Sequence, residues 1–296
     1  MVLTLRRLAA LVLAALILSP AVASAQAGAD LNVSPKRIVF DANGRSATVF
    51  VFNQGDAPAT YSVALVDRAM FPDGSIIAVD EAMKDPARSG IAAAVKSARP
   101  MVTFTPRRVT LQPRASQVVR LRVLRPADLA AGEYRTHLTV TVVPPEDTGV
   151  TAEQAVAGLE PGALAVRINA LFSLSIPVIV RQGPADVKAG VENLRYQVRE
   201  EAPGAGGPAK PTALVSMDLT RLGASSVFGD VEVRGGPKNE ILGAIRGVGV
   251  YPEVDRRQVT VQLTSLPAHG AALTVVLRDD DTQPGVVLAT GHIAVP

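Results

Sequence analysis

Apolar and polar residues alternate most regularly along residues 164–180. One register is apolar and consists of Leu164, Val166, Ile168, Ala170, Phe172, Leu174 and Ile176. The intervening positions are more polar and consist of Ala165, Arg167, Asn169, Leu171, Ser173 and Ser175. A period of two predicts a β-strand with one apolar face. Since strands usually have about 5–6 residues, this strand is expected to extend past its neighbours in the sheet.

The surplus length of this strand has two interpretations. A strand that outruns its sheet has a free backbone edge with alternate apolar side chains, and such an edge can pair with another chain. In the alternative, the segment is a long core strand that crosses its own sheet and then becomes a linker. The alternation alone is compatible with both.

Short apolar segments separated by turn signals fill the first half of the chain. They predict strands at residues 31–40, 47–52, 61–66, 101–105, 109–111, 118–123 and 134–143. Pro35 lies inside the first strand. Because proline cannot donate to a strand ladder, we predict an edge strand or a change of partner there. Residues 67–100 break the pattern and predict a polar excursion, with at most one short helix that Pro86 and Gly90 interrupt.

The second half repeats the strand-rich pattern. It predicts strands at residues 187–198, 214–219, 227–233, 241–251, 259–263, 273–277 and 286–295. Many short strands with turn signals between them are typical of an immunoglobulin-like sandwich. We therefore predict an all-β protein with two immunoglobulin-like β-sandwich domains, at residues 26–183 and 184–296, with the joint near Arg181–Pro184.

Residues 1–25 have the pattern of a secretory signal peptide. Arg6 and Arg7 precede a short apolar run that ends at Leu18, and Ala23-Ser24-Ala25 is a small-residue cleavage pattern. The apolar run is shorter than the ~20 residues of a membrane-spanning helix, so we predict an exported protein without stable membrane insertion. Loss of both arginines lowers the net charge from +3 to about +1, which gives no indication of a nucleic-acid partner.

The sequence offers little for catalysis or metal binding. It has no cysteine, which excludes thiol catalysis and disulfides. His137, His269 and His292 lack the spacing of metal ligands, so we interpret them as surface or packed side chains. Asp279-Asp280-Asp281 could bind a cation, but a solvated hairpin turn is favoured because no spaced oxygen ligands follow. We predict no enzymatic activity, no cofactor and no metal site.

Arg37 lies in the middle of the first predicted strand, just before the apolar residues 38–40. An arginine among strand residues must keep its guanidinium in water or meet an anion. The planar guanidinium suits a carboxylate. A solvated strand edge and an anion-binding residue are therefore both open interpretations of Arg37.

Several segments, in this order and spacing, resemble a divergent branch of the periplasmic chaperones of pilus and fimbrial assembly. They are Ser34–Phe40 followed by Asn53, Phe104–Pro113, Gln117–Leu121, Gly132–Leu138 and Ser175–Val180. The resemblance implies two immunoglobulin-like domains set at an angle around a cleft. It also implies a periplasmic location and partners that are pilus or surface-fibre subunits, and it leaves an outer-membrane usher open as a further partner.

The resemblance implies a mechanism and roles for individual residues. The chaperone would lend its long strand to a subunit that lacks its own final strand. Arg37 would bind the subunit's terminal carboxylate in the cleft. The subunit-binding positions of the strand would be Leu164, Val166, Ile168 and Ala170, with Arg167 as the nearest basic residue.

The chain also departs from the family pattern. The family's lysine in the long strand, counted five residues back from Pro177, corresponds to Phe172, and the usual Arg-Glu-Ser run is absent after Gly132-Glu133. The competing hypothesis is a secreted structural sandwich, such as an adhesin or fibre component, that keeps its long strand in its own core. An exposed edge without a client could also pair with a second copy of the chain.

Overall fold

The structure is a computed structural model, and it describes residues 30–144, 171–201 and 209–296. These residues form an all-β protein with two immunoglobulin-like β-sandwiches, as the sequence predicted, and a small helical insert. The predicted signal peptide and the five proposed strand positions between Leu164 and Ala170 lie outside the described residues. Within the described ranges, no helix is long and apolar enough to cross a membrane.

The described residues of the first half form eleven strands. They are β1 (Leu31–Ser34), β2 (Ile38–Phe40), β3 (Ser46–Asn53), β4 (Ala59–Val66), β5 (Arg68–Met70), β6 (Ile76–Ala78), β7 (Val102–Thr105), β8 (Arg108–Leu111), β9 (Ser116–Val123), β10 (Gly132–Val143) and β11 (Ser173–Gln182). One sheet has the order β1-β3-β9-β7 and packs against the other, β2-β11-β10-β4-β8, while β5 and β6 form a separate hairpin. Alternate side chains of both sheets meet in one apolar core, as expected for a sandwich.

The alternation predicted for the long strand is confirmed within β11. Ile176, Val178 and Val180 are buried in the core of the first sandwich, and Leu174 packs against that core. Ile179 points from the opposite face and is buried in the core of the second sandwich. One strand therefore contributes side chains to both cores.

The first predicted strand changes partner at Pro35, which confirms the expectation for that proline. Leu31–Ser34 pairs with β3, whereas Ile38–Phe40 pairs in parallel with β11 of the facing sheet. Arg37 was predicted to lie in the middle of a strand, but it lies in the crossing between the two sheets. Among the described residues, the crossing has no ladder partner, so it tolerates a residue without a backbone donor.

Residues 67–101 form a packed insert, which corrects the prediction of a polar excursion. The β5–β6 hairpin is followed by α1 (Val79–Ala82), α2 (Pro86–Ala93) and a short 3-10 turn. Pro86 begins α2 instead of interrupting a helix, because the first turn of a helix needs no backbone donor. Asp85 caps α2 by accepting a hydrogen bond from the amide of Ala87.

The insert has a small core of its own and contacts the second sandwich. Its core consists of Ala69, Phe71, Ala82 and Ala92. The side chain of Met70 is buried in the core of the second sandwich, and the amide of Gln258 donates to the carbonyl of Pro72 over 2.7 Å. The insert therefore connects the two sandwiches directly.

In the second half, residues 184–201 and 209–296 form seven strands, each overlapping a predicted one. They are β12 (Ala189–Glu201), β13 (Lys210–Arg221), β14 (Val227–Gly235), β15 (Glu240–Val250), β16 (Arg256–Gln262), β17 (Ala272–Asp279) and β18 (Val287–Ala294). The three-stranded sheet β12-β13-β16 packs against the four-stranded sheet β15-β14-β17-β18. The core between them is made largely of valine and leucine.

Candidate functional site: the cleft between the sandwiches

Arg37 lies in the cleft and contacts three residues of the second sandwich. Its Nη1 lies 2.9 Å from Oδ2 of Asp281, and its Nη2 lies 3.4 Å from Oγ of Ser226. The guanidinium stacks over the ring of Phe228, 4.3 Å from the ring centre. Only 11% of the Arg37 side chain is exposed. The anion that Arg37 meets in this structure therefore belongs to the chain itself.

Asp281 is shared with a second arginine. Nη2 of Arg181 lies 2.5 Å from Oδ2 of Asp281, and Nε of Arg181 donates to Glu133 over 3.0 Å. Burial acts to raise the pKa of Asp281, but its bonds to Arg181 and Arg37 outweigh burial and lower that pKa overall. The carboxylate is therefore ionised at neutral pH and holds both arginines.

The Asp279–Asp281 triplet begins a hairpin turn, as predicted, but the turn is not solvated, because Asp279 is 2% exposed and the side chain of Asp281 is 8% exposed. Asp279 is the last residue of β17, and it accepts bonds from the amides of Asp281 and Gln283 and from the hydroxyl of Thr282 in the loop that follows. In the parts of the chain that the structure describes, no group of three or more acidic or histidine side chains could hold a metal ion. Asp281 serves as an ion-pair partner across the cleft.

A buried ion pair closes another part of the cleft. The guanidinium of Arg135 binds the carboxylate of Glu253 through two contacts of 3.0 and 2.5 Å, and the two side chains are 3% and 2% exposed. Arg135 also stacks on Tyr251, 3.7 Å from the ring centre. Oε1 of Glu253, which Arg135 also contacts, accepts a hydrogen bond from the amide of Met70 over 2.7 Å. Strand β10, the insert and the second sandwich therefore meet at one carboxylate.

Beside this ion pair is an open cavity of about 260 Å³. It lies between the β10–β11 face, the β5–β6 hairpin and Tyr251, and His137 forms part of its wall. His137 is 2% exposed, and neither ring nitrogen has a hydrogen-bond partner among the described residues. Burial, together with the positive charges of Arg135 and Arg68, lowers the pKa of His137 to about 3.

The three histidines are packed or surface side chains, as the sequence predicted. His137 is a packed side chain whose ring meets that of Tyr251 edge-on, with centres 6.5 Å apart. His292 lies 3.2 Å from the hydroxyl of Thr274, and His269 is exposed. None of the three joins a metal-binding cluster in the described ranges.

The outer edge of β11 is only partly covered. β10 pairs with β11 from Ser173 to Gln182, but on the other side β2 pairs only with Val178–Val180. Among the described residues, no strand pairs with the outer edge between Ser173 and Pro177. Phe172 continues the ladder by accepting the amide of Val142 over 2.9 Å, and its side chain is 41% exposed.

The structure places one of the predicted site residues, Arg37, in the cleft. The others, Leu164, Val166, Arg167, Ile168 and Ala170, lie outside the described residues. Phe172, which the resemblance places at the family's lysine, precedes β11 and is exposed. The cations that lie in the cleft with Arg37 are Arg135 of β10 and Arg181 near the end of β11. Those arginines were missed, although charges such as Glu133, Arg135 and Arg181 inside apolar strands are a sequence signal of buried ion pairs.

The comparisons with known proteins find similarity to solved structures but none at the level of sequence families. No protein-family model matches the sequence, and no curated protein matches it. The YadV chaperone is 13% identical with a TM-score of 0.40, and the match covers 90% of this chain and 100% of that one. The CupB2 chaperone of Pseudomonas aeruginosa is 14% identical with a TM-score of 0.42, and the match covers 90% of this chain and 100% of that one.

A third solved structure is a complex of a chaperone with a subunit. It is the CsuC–CsuE chaperone–tip subunit complex of the archaic Csu pili of Acinetobacter baumannii. The matched chain of that complex is 13% identical to this chain with a TM-score of 0.41, and the match covers 90% of this chain and 97% of the matched chain. The first two of these solved structures are chaperones, and the third contains a chaperone in complex with a tip subunit.

Proposed function

We propose that the protein is a periplasmic chaperone that binds and caps pilus or surface-fibre subunits by donating a β-strand. The donated strand is the N-terminal extension of β11, with Leu164, Val166, Ile168 and Ala170 directed into the subunit and Arg167 beside them. The subunit's own folding, when a better-fitting strand replaces that of the chaperone, supplies the free energy of release. This role needs no cofactor and no enzymatic activity.

The observation that carries this proposal is the partly covered edge of β11. Among the described residues, the backbone of β11 is unpaired on its outer side from Ser173 to Pro177. Phe172, the next residue towards the N-terminus in the apolar register after Leu174, is exposed and lies outside the core. An unpaired strand edge with alternate apolar side chains supports pairing with a strand of another protein. The same register extends along the sequence to Leu164.

Arg37 is the proposed anchor for the terminal carboxylate of the subunit. The support is its bond to a carboxylate in this structure, that of Asp281, with the guanidinium stacked on Phe228. A subunit carboxylate would replace Asp281 as the partner of Arg37, while Arg181 keeps Asp281 in place through its own bond. The exchange conserves one ion pair, so little free energy is lost in opening the site.

The first test is recovery of the client. The tagged chain is purified from the periplasm of its native host, and copurifying proteins are identified by mass spectrometry. We expect a one-to-one complex with one or a few subunits that lack a final strand. A chain that polymerises by itself and copurifies with no such subunit would instead support the structural hypothesis.

The second test addresses the strand. Ile168→Asp is expected to reduce client capture strongly and to change the thermal midpoint little, because a charge enters the subunit's apolar groove. Asn169→Asp introduces the same charge in the other register and is the matched control. Equal losses of capture and of thermal stability for Ile168→Asp would place Ile168 in the chain's own core.

The third test addresses the anchor. Arg37→Ala is expected to weaken client binding, whereas Asp281→Asn, which removes the competing carboxylate, is expected to preserve or strengthen it. Both substitutions break the same bond across the cleft, so a simple loss of cleft geometry would weaken binding in both. Normal client binding by Arg37→Ala would show that the anchor lies elsewhere.

A further inference from the structure

Two arginines on the outer face of the sheet β1-β3-β9-β7 are exposed. Arg120 and Arg122 lie on β9, and the intervening Leu121 is buried in the core of the first sandwich. Both arginines therefore point away from that core. Neither guanidinium forms a hydrogen bond or an ion pair with another described residue. The face thus offers two positive charges that the described part of the chain does not neutralise.

The residues opposite these arginines on the neighbouring strands all carry hydroxyl groups. They are Ser46 and Thr103 opposite Arg122, and Thr48 and Thr105 opposite Arg120. We call each such row of residues across the sheet a rung. All of these side chains are exposed and line one open groove of about 560 Å³. Each of the two rungs offers one guanidinium and two hydroxyl donors, a donor set that suits a carboxylate.

The next rung on the same face is apolar. Phe50 is two residues beyond Thr48 on β3, and Val118 lies opposite Phe50 on β9. Phe50 is 42% exposed, and its ring stacks on that of Phe52 with the ring centres 6.1 Å apart. A ligand that lies along β3 on this face therefore meets two cationic rungs and then an apolar rung.

The spacing of the rungs indicates the class of ligand. Successive rungs are two residues apart, which is about 6.6–6.8 Å along a strand. The side chains on one face of an extended polypeptide recur at the same interval. A segment with acidic residues at positions i and i+2 and an apolar residue at i+4 matches all three rungs in charge and polarity. Among the described residues, the outward positions of these rungs include no carboxylate that would compete with it.

We infer that this face binds an extended acidic segment of a partner protein. Arg122 and Arg120 each pair with one carboxylate of the segment, and the hydroxyl groups beside them donate to the same carboxylates. Phe50 and Val118 contact the apolar side chain that follows. The other sheet of the first sandwich carries β11, whose Ile179 faces the second sandwich. A segment bound to the β3–β9 face therefore leaves the edge of β11 free, and the inference goes beyond the proposed function.

The test uses the full chain and the peptide Glu-Thr-Glu-Thr-Val-Thr, with a neutral dye at its N-terminus and an amide at its C-terminus. One comparison peptide has glutamine in place of both glutamates. The other, Glu-Glu-Thr-Thr-Thr-Val, has the same composition, but its glutamates are adjacent and point to opposite faces of an extended chain. Affinity is measured by fluorescence anisotropy. We expect the first peptide to bind about tenfold or more tightly than either comparison peptide, and high salt to weaken its binding.

Substitution of the arginines tests their assignment. Arg120→Gln and Arg122→Gln should each weaken binding of the first peptide about three- to fivefold, and both together about tenfold or more. Arg199→Gln is the matched control and should leave the affinity unchanged, since Arg199 is an exposed arginine on β12 of the second sandwich.

Three results would overturn the inference. Equal binding of the three peptides by the wild-type chain would show that the face does not recognise alternate carboxylates. An unchanged affinity in the double variant, with its fold intact by circular dichroism, would place the peptide elsewhere. Vesicles of phosphatidylglycerol that bind the wild-type chain but not the double variant, without any preference among the peptides, would identify a membrane surface as the ligand.

Discussion

The buried His137 predicts a specific loss of stability in mild acid. In the folded chain, burial and the charges of Arg135 and Arg68 keep the ring neutral down to a pKa of about 3. In the unfolded chain the pKa returns to about 6.5. Between these two values the unfolded state binds one more proton, so stability falls as the pH falls. The stabilising contribution is complete above pH 6.5 and is lost progressively towards pH 3.

The size of this effect follows from the shift. Each pH unit below about 6.5 costs ~1.4 kcal/mol, so acidification from pH 7 to pH 5 removes about 2 kcal/mol through His137 alone. His137→Leu fills the same buried position without a titrating group. Since the ring nitrogens have no partner among the described residues, the substitution leaves no polar group newly unsatisfied. The variant should therefore lack this part of the pH dependence.

The assay is urea unfolding at pH 7, 6 and 5, followed by circular dichroism because the chain has no tryptophan. The wild-type free energy of unfolding should fall by about 2 kcal/mol more than that of His137→Leu over this range. All other titrating groups are common to both chains and cancel in the comparison. Parallel pH profiles for the two chains would refute the argument, since they would mean that the folded chain protonates His137 as easily as the unfolded one.

Two further predictions concern stability. Glu253→Ala leaves the buried guanidinium of Arg135 without its carboxylate partner and should lower the free energy of unfolding in urea by about 3–5 kcal/mol. A loss below about 1 kcal/mol would show that the pair is solvated in solution. Gly90→Ala should raise the thermal midpoint by an amount equivalent to about 0.5–1 kcal/mol, because an added Cβ meets no atom within 4 Å in α2. The opposite control is Gly229→Ala, whose Cβ would lie 1.9 Å from the carbonyl oxygen of Arg278, and any gain there would contradict the packing of β14 on β17.

The strands could be predicted from the sequence because a sandwich imposes a simple rule on each of them. Alternate residues face the core, so the alternation of Leu174 and Ile176 with polar neighbours predicts a strand with one apolar face. Pro35 reports the change of sheet because its missing donor has a physical consequence. These signals lie within short segments of the chain, so they can be recognised from the sequence without knowledge of the tertiary contacts.

The insert was misread because its local signals permit more than one structure. Pro86 is unfavourable inside a helix and favourable at its first turn, and only the cap of Asp85 decides which applies. Gly90 lowers helix propensity, but the exposed middle of α2 tolerates it. The contact of Met70 with the second core has no counterpart in the sequence pattern.

The cleft was harder to predict than the fold because its partners are distant in sequence. Arg135 and Glu253 are 118 residues apart, and Arg37 and Ser226 are 189 residues apart. Sequence reasoning selected Arg37 from its position among strand residues and its resemblance to a family motif. It did not select Arg135 and Glu253, because neither residue's own segment indicates its partner.

Strand β11 places Ile176, Val178 and Val180 in one hydrophobic core and Ile179 in the other. A truncated chain that ended at residue 183 would leave Ile179 and Met70 without their apolar neighbours from the second sandwich. Calorimetry of the whole chain should consequently show a single heat-absorption peak, and the isolated first half should associate or precipitate. A strand of a bound subunit that pairs with β11 would then raise the melting temperature of both halves together, although it pairs with only one of them.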